Sequence, residues 1–261
     1  MTETGTQQGL RWVRESLALF KTQPHVWMLW ALAYIMIFRV LPSLDKILAV
    51  ATVVIWPACM AFFVMLYRQM DLQSQLVPRT VWLQLQTNIK TLLLLGLSGL
   101  IYTLLATMLL GSELAELVAH APSKAGMTES QMTKFLEGFL PFMIKLILLL
   151  LPLFIATWFS PMLIALNGYN LPKAIKSSIA GILQYFVPML ISWVVMTVGM
   201  LLVMLGLGLV IGILGALIPM VAELLMPLLV FAALLVISAL MFALQYISYK
   251  DVFRAAPVLH A

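Results

Sequence analysis

"LPKAIKSSIAGILQYFVPML", residues 171–190, carries two lysines, two serines and a glutamine in a chain that is otherwise greasy. Pro172 suits a first helical turn, and Asn170 stands where a cap would. Ile175, Ile179, Ile182, Leu183 and Phe186 then recur at helical spacing and share one face. Lys173, Lys176, Ser177, Gly181 and Gln184 take the others. That pattern predicts an amphipathic helix leading directly into an apolar run.

The surroundings set its context. Of 261 residues, 63% are hydrophobic and 10% charged, whereas a soluble domain is about 45–50% apolar and about 25% charged. No soluble core hides that much apolar surface, so the solvent is a bilayer. Runs near 20 apolar residues are the spanning unit. The sequence divides into six: 26–44, 47–67, 91–111, 139–165, 187–211 and 225–248. The last two are hard to separate, and Pro219 to Pro227 is the expected turn. The polar start has no short apolar core or cleavage site, so span one is expected to serve as an uncleaved insertion signal.

The amphipathic pattern recurs. "GLRWVRESLALFKTQP" (9–24) places Leu10, Val13, Leu17 and Phe20 together ahead of span one. "VPRTVWLQLQTNIK" (77–90) does the same with Val81, Trp82, Leu85 and Ile89 ahead of span three. The fold expected is all-α and polytopic: one transmembrane domain over 1–261, with six helices in three hairpins. An amphipathic helix precedes each hairpin. The repeat-like units are 9–67, 78–165 and 171–249. Each amphipathic helix either lies in the headgroup layer or packs beneath the bundle as a collar. In the first case Arg11, Arg14, Lys21, Arg79, Lys173 and Lys176 face anionic lipid.

Lysine and arginine set the orientation. With the N-terminus cytoplasmic, Arg11, Arg14, Lys21, Arg68, Arg79, Lys90, Lys173, Lys176, Lys250 and Arg254 lie inside. Arg39, Lys46, Lys124, Lys134 and Lys145 lie outside. Both termini are therefore expected in the cytoplasm, which places the three amphipathic helices on that side.

Two stretches carry a resemblance: "GLRWVRESLALFKTQPHVW" (9–27) and "FSPMLIALNGYNLPKAIKSSIAGILQYFVPML" (159–190), in which a span ends at a proline and leads into "AIKSS". Over roughly residues 9 to 254 the chain resembles a family of uncharacterised bacterial polytopic inner-membrane proteins. More distantly, it is similar to the membrane domain found beside some glycerophosphodiester phosphodiesterases. The resemblance implies a six-helix bacterial inner-membrane protein and supplies no catalytic residues. No phosphodiesterase domain is present.

Ionisable groups at membrane depth are candidates for function. Arg39, Lys145 and Glu223 qualify, either snorkelling to headgroups or pairing across the bundle into a small polar cluster. Pro57, Pro152 and Pro161 fall within spans two and four and would free backbone carbonyls, but no polar side chains cluster around them in the sequence. "GMLLVMLGLGLVIGILGAL" (199–217) contains Gly208 and Gly212 in a G-x-x-x-G extended by Ala216. This is a helix-packing seam within the chain or in a homodimer. "TESQ" (128–131) is a capping box, which predicts a helix running from Glu129 into span four. Trp27, Trp30, Tyr67, Tyr169, Tyr185, Trp193, Tyr246 and Tyr249 read as interfacial anchors.

Other chemistry is missing. Cys59 is the lone cysteine, and His25, His120 and His260 are scattered, so neither a disulfide nor a metal cluster is expected. No nucleophile-and-base pair, P-loop or H-E-x-x-H motif is present, and no cofactor is expected. Scattered basic residues disfavour nucleic acid. The reading is a non-enzymatic membrane protein that organises lipid or assists a membrane partner, with the bilayer, a partner protein or a second copy as its contacts. The alternative is a small permease or channel for an ion or an apolar, lipid-like substrate, which requires a cavity reaching the bilayer midplane.

Overall fold

The computed structural model describes residues 3–73, 75–119 and 129–253. His120, Lys124, Thr128 of the expected capping box, Arg254 and His260 lie outside the described residues. Among those described there is no strand. Six helices are long and apolar enough to cross a bilayer: Pro24–Leu44, Lys46–Leu72, Ile89–Val118, Phe135–Asn167, Phe186–Leu217 and Ala222–Phe253. The chain is an all-α multi-pass membrane protein.

Helix α1 (Gly5–Thr22) opens with a reciprocal cap, in which Thr4 Oγ1 accepts from the Gln7 amide and Gln7 Oε1 accepts from the Thr4 amide. Pro24 then starts α2 (Pro24–Ile35), where its missing N–H costs nothing. Pro42 has no N–H for the Phe38 carbonyl, and its ring crowds that oxygen. The helix widens into a five-residue π segment (Met36–Val40) just before it, then closes with α3 (Leu41–Leu44). Asp45 caps α4 (Lys46–Gln73), its Oδ1 2.6 Å from the Ile47 nitrogen. There follow α5 (Pro78–Gln86), α6 (Ile89–Ala119) and α7 (Glu129–Thr157).

Span four is not one kinked helix. Pro161 cannot donate to the Thr157 carbonyl, so the chain breaks at Trp158–Phe159 and restarts as α8 (Ser160–Asn167) with Pro161 in its first turn. Gly168, in the left-handed conformation at φ 63°, ends α8. Asn170 then caps α9 (Leu171–Gln184), accepting from the Lys173 amide at 3.1 Å. The last hairpin is α10 (Phe186–Leu217) and α11 (Pro219–Phe253). It turns at Ile218, and Pro227 lies inside α11 rather than in the turn. At 1.5 Å per residue the 32 residues of α10 extend about 48 Å, more than a ~30 Å hydrocarbon core.

The three units interlock in a cycle. The second span of each unit, α4, α7–α8 and α11, meets the other two at the end that holds α1, α5 and α9. There Tyr67 Oη donates to the Ala239 carbonyl at 2.8 Å, Tyr249 Oη to Asn167 Oδ1, and Gln245 Nε2 to the Trp158 carbonyl. Each first span packs on the second span of another unit. Thus α2 lies on α11 and α6 on α4, while α10 reaches Phe154 and Trp158 through Trp193. The short helices follow the same rule: α5 lies on α4, α9 on α7 and α8, and α1 on α10 and α11. We call this the collar end, and the opposite side, with the turns at Asp45 and Ile218, the hairpin end.

Burial in the collar differs from the apolar stripes expected. On α9 the buried residues are Ala174, Ser178, Gly181 and Ile182, while Leu183 and Phe186 are exposed. A Cβ on Gly181 would lie 2.9 Å from Phe253. On α1 the buried set is Gly9, Trp12, Val13, Ser16 and Leu19. On α5, Val81 and Leu85 are buried and Trp82 is exposed. On α9 small residues face the protein and let backbones approach, while on α1 and α5 large apolar residues such as Trp12, Leu19 and Leu85 are buried too.

Candidate functional site: cavities among the spans

An apolar cavity of about 570 Å³ lies between the first two units. Pro42, Trp56, Pro57, Gly99, Leu153 and Thr157 mark its walls, which come from span one, α4, α6 and α7. Ala49 and Pro57 both line it, so it runs along eight residues of α4, about 12 Å. Its volume falls within the ~300–1,000 Å³ of ligand sites. Two lining residues, Val53 and Thr103, remain exposed, which leaves a side opening. Beside the cavity α4 and α6 approach closely: a Cβ on Gly96 would sit 1.9 Å from the Val54 carbonyl oxygen. At Gly99, one turn on, the nearest atom is Leu153 Cδ1 at 4.0 Å.

Its polar features are few, and the prolines create some of them. Pro57 cannot pair with the Val53 carbonyl, nor Pro42 with that of Phe38, and both carbonyl-bearing residues line the cavity. Thr52, Thr103 and Thr157 also line it, but their hydroxyls donate to carbonyls of their own helices at 2.8 Å. Of the prolines singled out in the sequence, Pro57 shares its cavity with three threonines, one from each of three helices. Threonines distant in sequence leave no local signal that they line one space.

The three ionisable candidates are separated by their partners. Lys145 Nζ lies 2.7 Å from Glu113 Oε1, an acid from the facing helix of the same hairpin. Glu223 is exposed in the first turns of α11, and among the described residues it forms no ion pair with Lys145 or Arg39. Arg39 sits in the π segment and lines a second cavity, of about 280 Å³, with Tyr34, Phe38, Trp56 and Ser238.

Within the chain, the expected glycine seam makes no close contact. A Cβ on Gly212 would meet nothing within 4 Å, Gly208 reaches only Met226 at 4.0 Å, and Ala216 is exposed. The close approach in this hairpin is at Gly215, where a Cβ would lie 2.4 Å from Ala222 Cβ. Other tight points are Gly96, Gly181 and Gly9, the last against the Pro188 carbonyl. Spacing alone cannot tell which face of a glycine-rich helix turns toward its neighbour.

At the collar end the basic residues divide. Arg14, Lys21, Arg79, Lys173 and Lys176 are exposed, and Lys173 Nζ lies 3.8 Å over the Tyr169 ring. Arg11 is instead held by Glu3 at 3.1 Å, Glu15 at 3.2 Å and Asp251 at 2.9 Å. Its pKa is raised, chiefly by the hydrogen bond to Glu3. Asp251 Oδ2 also accepts from Gln8 Nε2 and Trp12 Nε1, both at 2.7 Å, tying the last turn of α11 to α1. Four expected interfacial anchors are core residues: Trp27, Tyr67, Tyr246 and Tyr249 are each at most 2% exposed. Their polar tips are satisfied inside, as where Tyr246 Oη donates to Asp71 at 2.6 Å and Trp27 Nε1 to the Leu19 carbonyl at 3.2 Å.

One serine of the opening stretch, Ser178, has a specific task. At the break in span four, Ser178 Oγ accepts from the Phe159 amide at 3.1 Å and donates to the Ile155 carbonyl at 2.8 Å. Backbone groups freed within a membrane protein need such partners.

No protein-family model, curated protein or solved structure matches the chain.

Proposed function

We propose that this is a non-enzymatic, lipid-binding protein of the bacterial inner membrane that organises lipid around itself or around a membrane partner. In this reading both termini are cytoplasmic, consistent with the excess of lysine and arginine at the collar end. The exposed residues Arg14, Lys21, Arg79, Lys173 and Lys176 on amphipathic helices then face anionic headgroups of the inner leaflet. The observation that carries the reading is the apolar cavity between α4, α6 and α7, which has the volume of a ligand site and a side exit. Its lining offers an acyl chain continuous apolar contact.

Filling the cavity tests this. Gly99→Phe grows a ring into the space while its Cβ meets no backbone. Native mass spectrometry of protein released with its surrounding membrane should show a tightly held lipid on the wild type and its loss from the variant. Equal lipid retention by the two proteins defeats the reading. Solvent-exposed passage of ions through the wild type in vesicles would favour a channel in its place.

A further inference from the structure

The smaller cavity collects hydrogen-bond donors and contains no carboxylate. Tyr34, Arg39, Trp56 and Ser238 line it, from α2, the π segment, α4 and α11. It shares Phe38 and Trp56 with the larger apolar cavity, so the two spaces adjoin along these side chains. Tyr34 and Trp56 line it together, from α2 and α4. Ser238 forms no hydrogen bond among the described residues. By contrast, Ser98, Thr103, Thr107, Thr157 and Ser192 all donate to carbonyls of their own helices. Arg39 is a permanent cation within span one and has no ion pair among the described residues. The π turn forced by Pro42 sets its direction, and such wide turns recur at functional sites.

A guanidinium and two hydroxyl donors around about 280 Å³ match the oxygens of a phosphate ester. The neighbouring apolar space supplies what a free anion would not use. We propose that Arg39, Tyr34 and Ser238 bind the phosphate headgroup of an anionic amphiphile whose chain occupies the larger cavity. This assignment rests on the lipid-binding reading above and adds the class of lipid. Arg39 carries the selection for charge, Ser238 and Tyr34 orient the phosphate, and the pocket lies on the half of span one nearer the Asp45 turn.

The test uses the full chain in vesicles of equal phosphatidylglycerol and phosphatidylcholine, released gently, with retained lipid counted by native mass spectrometry. Wild type should retain the anionic lipid about tenfold over the zwitterionic one, as expected for a charge-assisted contact. Arg39→Gln should bring the ratio to about one while still retaining a lipid, and Arg39→Lys should restore part of the preference. Ser238→Ala should lower the preference about threefold. An anionic preference that survives Arg39→Gln overturns the headgroup site and leaves the cavity reading intact, as does a wild type that retains both lipids equally. Lipid retention unchanged by Gly99→Phe overturns the cavity reading instead. Displacement of the retained lipid by millimolar inorganic phosphate would identify a free-anion site and overturn the amphiphile.

Discussion

At the collar end, Tyr67, Leu66 and Val64 of α4, Phe159 and Leu163 beside the break, and Tyr246 and Leu244 of α11 are almost wholly buried. At the hairpin end the same helices turn Ile47 and Val50, Ile144 and Leu148, Leu228 and Val230 outward, each about half exposed or more. The apolar character is equal, but the packing is not. Lipid is as apolar as leucine, so the hairpin end gains little from burying side chains. The collar end has broken helices, helix termini and charges, and those groups need partners that lipid cannot supply. One end is therefore built around polar satisfaction and small-residue contact, and the other is left open, with cavities between its spans.

This contrast can be broken most severely at Gly96. Gly96→Ala drives a methyl into the Val54 carbonyl and should lower stability by about 3 kcal/mol. Gly212→Ala, with open space around it, should stay within about 0.5 kcal/mol. Thermal unfolding in one detergent, read by circular dichroism, compares them; equal midpoints would mean that the glycine contact does not hold α4 to α6. A smaller effect is expected at the helix break. Ser178→Ala leaves the Phe159 N–H and the Ile155 carbonyl without their shared partner and should cost about 2 kcal/mol. Its neighbour Ser177, outside the buried stripe, should tolerate alanine, and a shared response would remove the special role given to Ser178. The least effect should come from the exposed Lys145–Glu113 pair, whose removal in a double-mutant cycle is worth about 0.5 kcal/mol or less and weakens with salt. A coupling well above 1 kcal/mol would show the hairpin end to be more tightly organised than its exposure indicates.

Much of the architecture could be read in advance. Six spans, a helix before each pair and the Asn170 cap all follow from local pattern. The candidate site was only partly legible. Arg39 stood out because a charge in an apolar run is visible from sequence alone. Tyr34, Trp56 and Ser238 did not, because an ordinary tyrosine or serine acquires meaning only from what another helix brings beside it. The prolines were visible as interruptions, yet only the three-dimensional arrangement shows that Pro42 and Pro57 line one space and that Pro161 divides a span in two.

By itself the sequence determined the solvent, the number of crossings, the order of long and short helices and the distribution of basic charge, since each follows from composition and periodicity along a single chain. Only the tertiary structure decided which helix face is inside. In lipid the hydrophobic effect no longer distinguishes faces, and close approach through Gly9, Gly96, Gly181 and Gly215 takes its place. It also decided that the three units close into a cycle, and where the cavities lie. Both depend on shape and on hydrogen bonds between residues up to about 240 positions apart, such as Arg11 and Asp251, which no local pattern encodes.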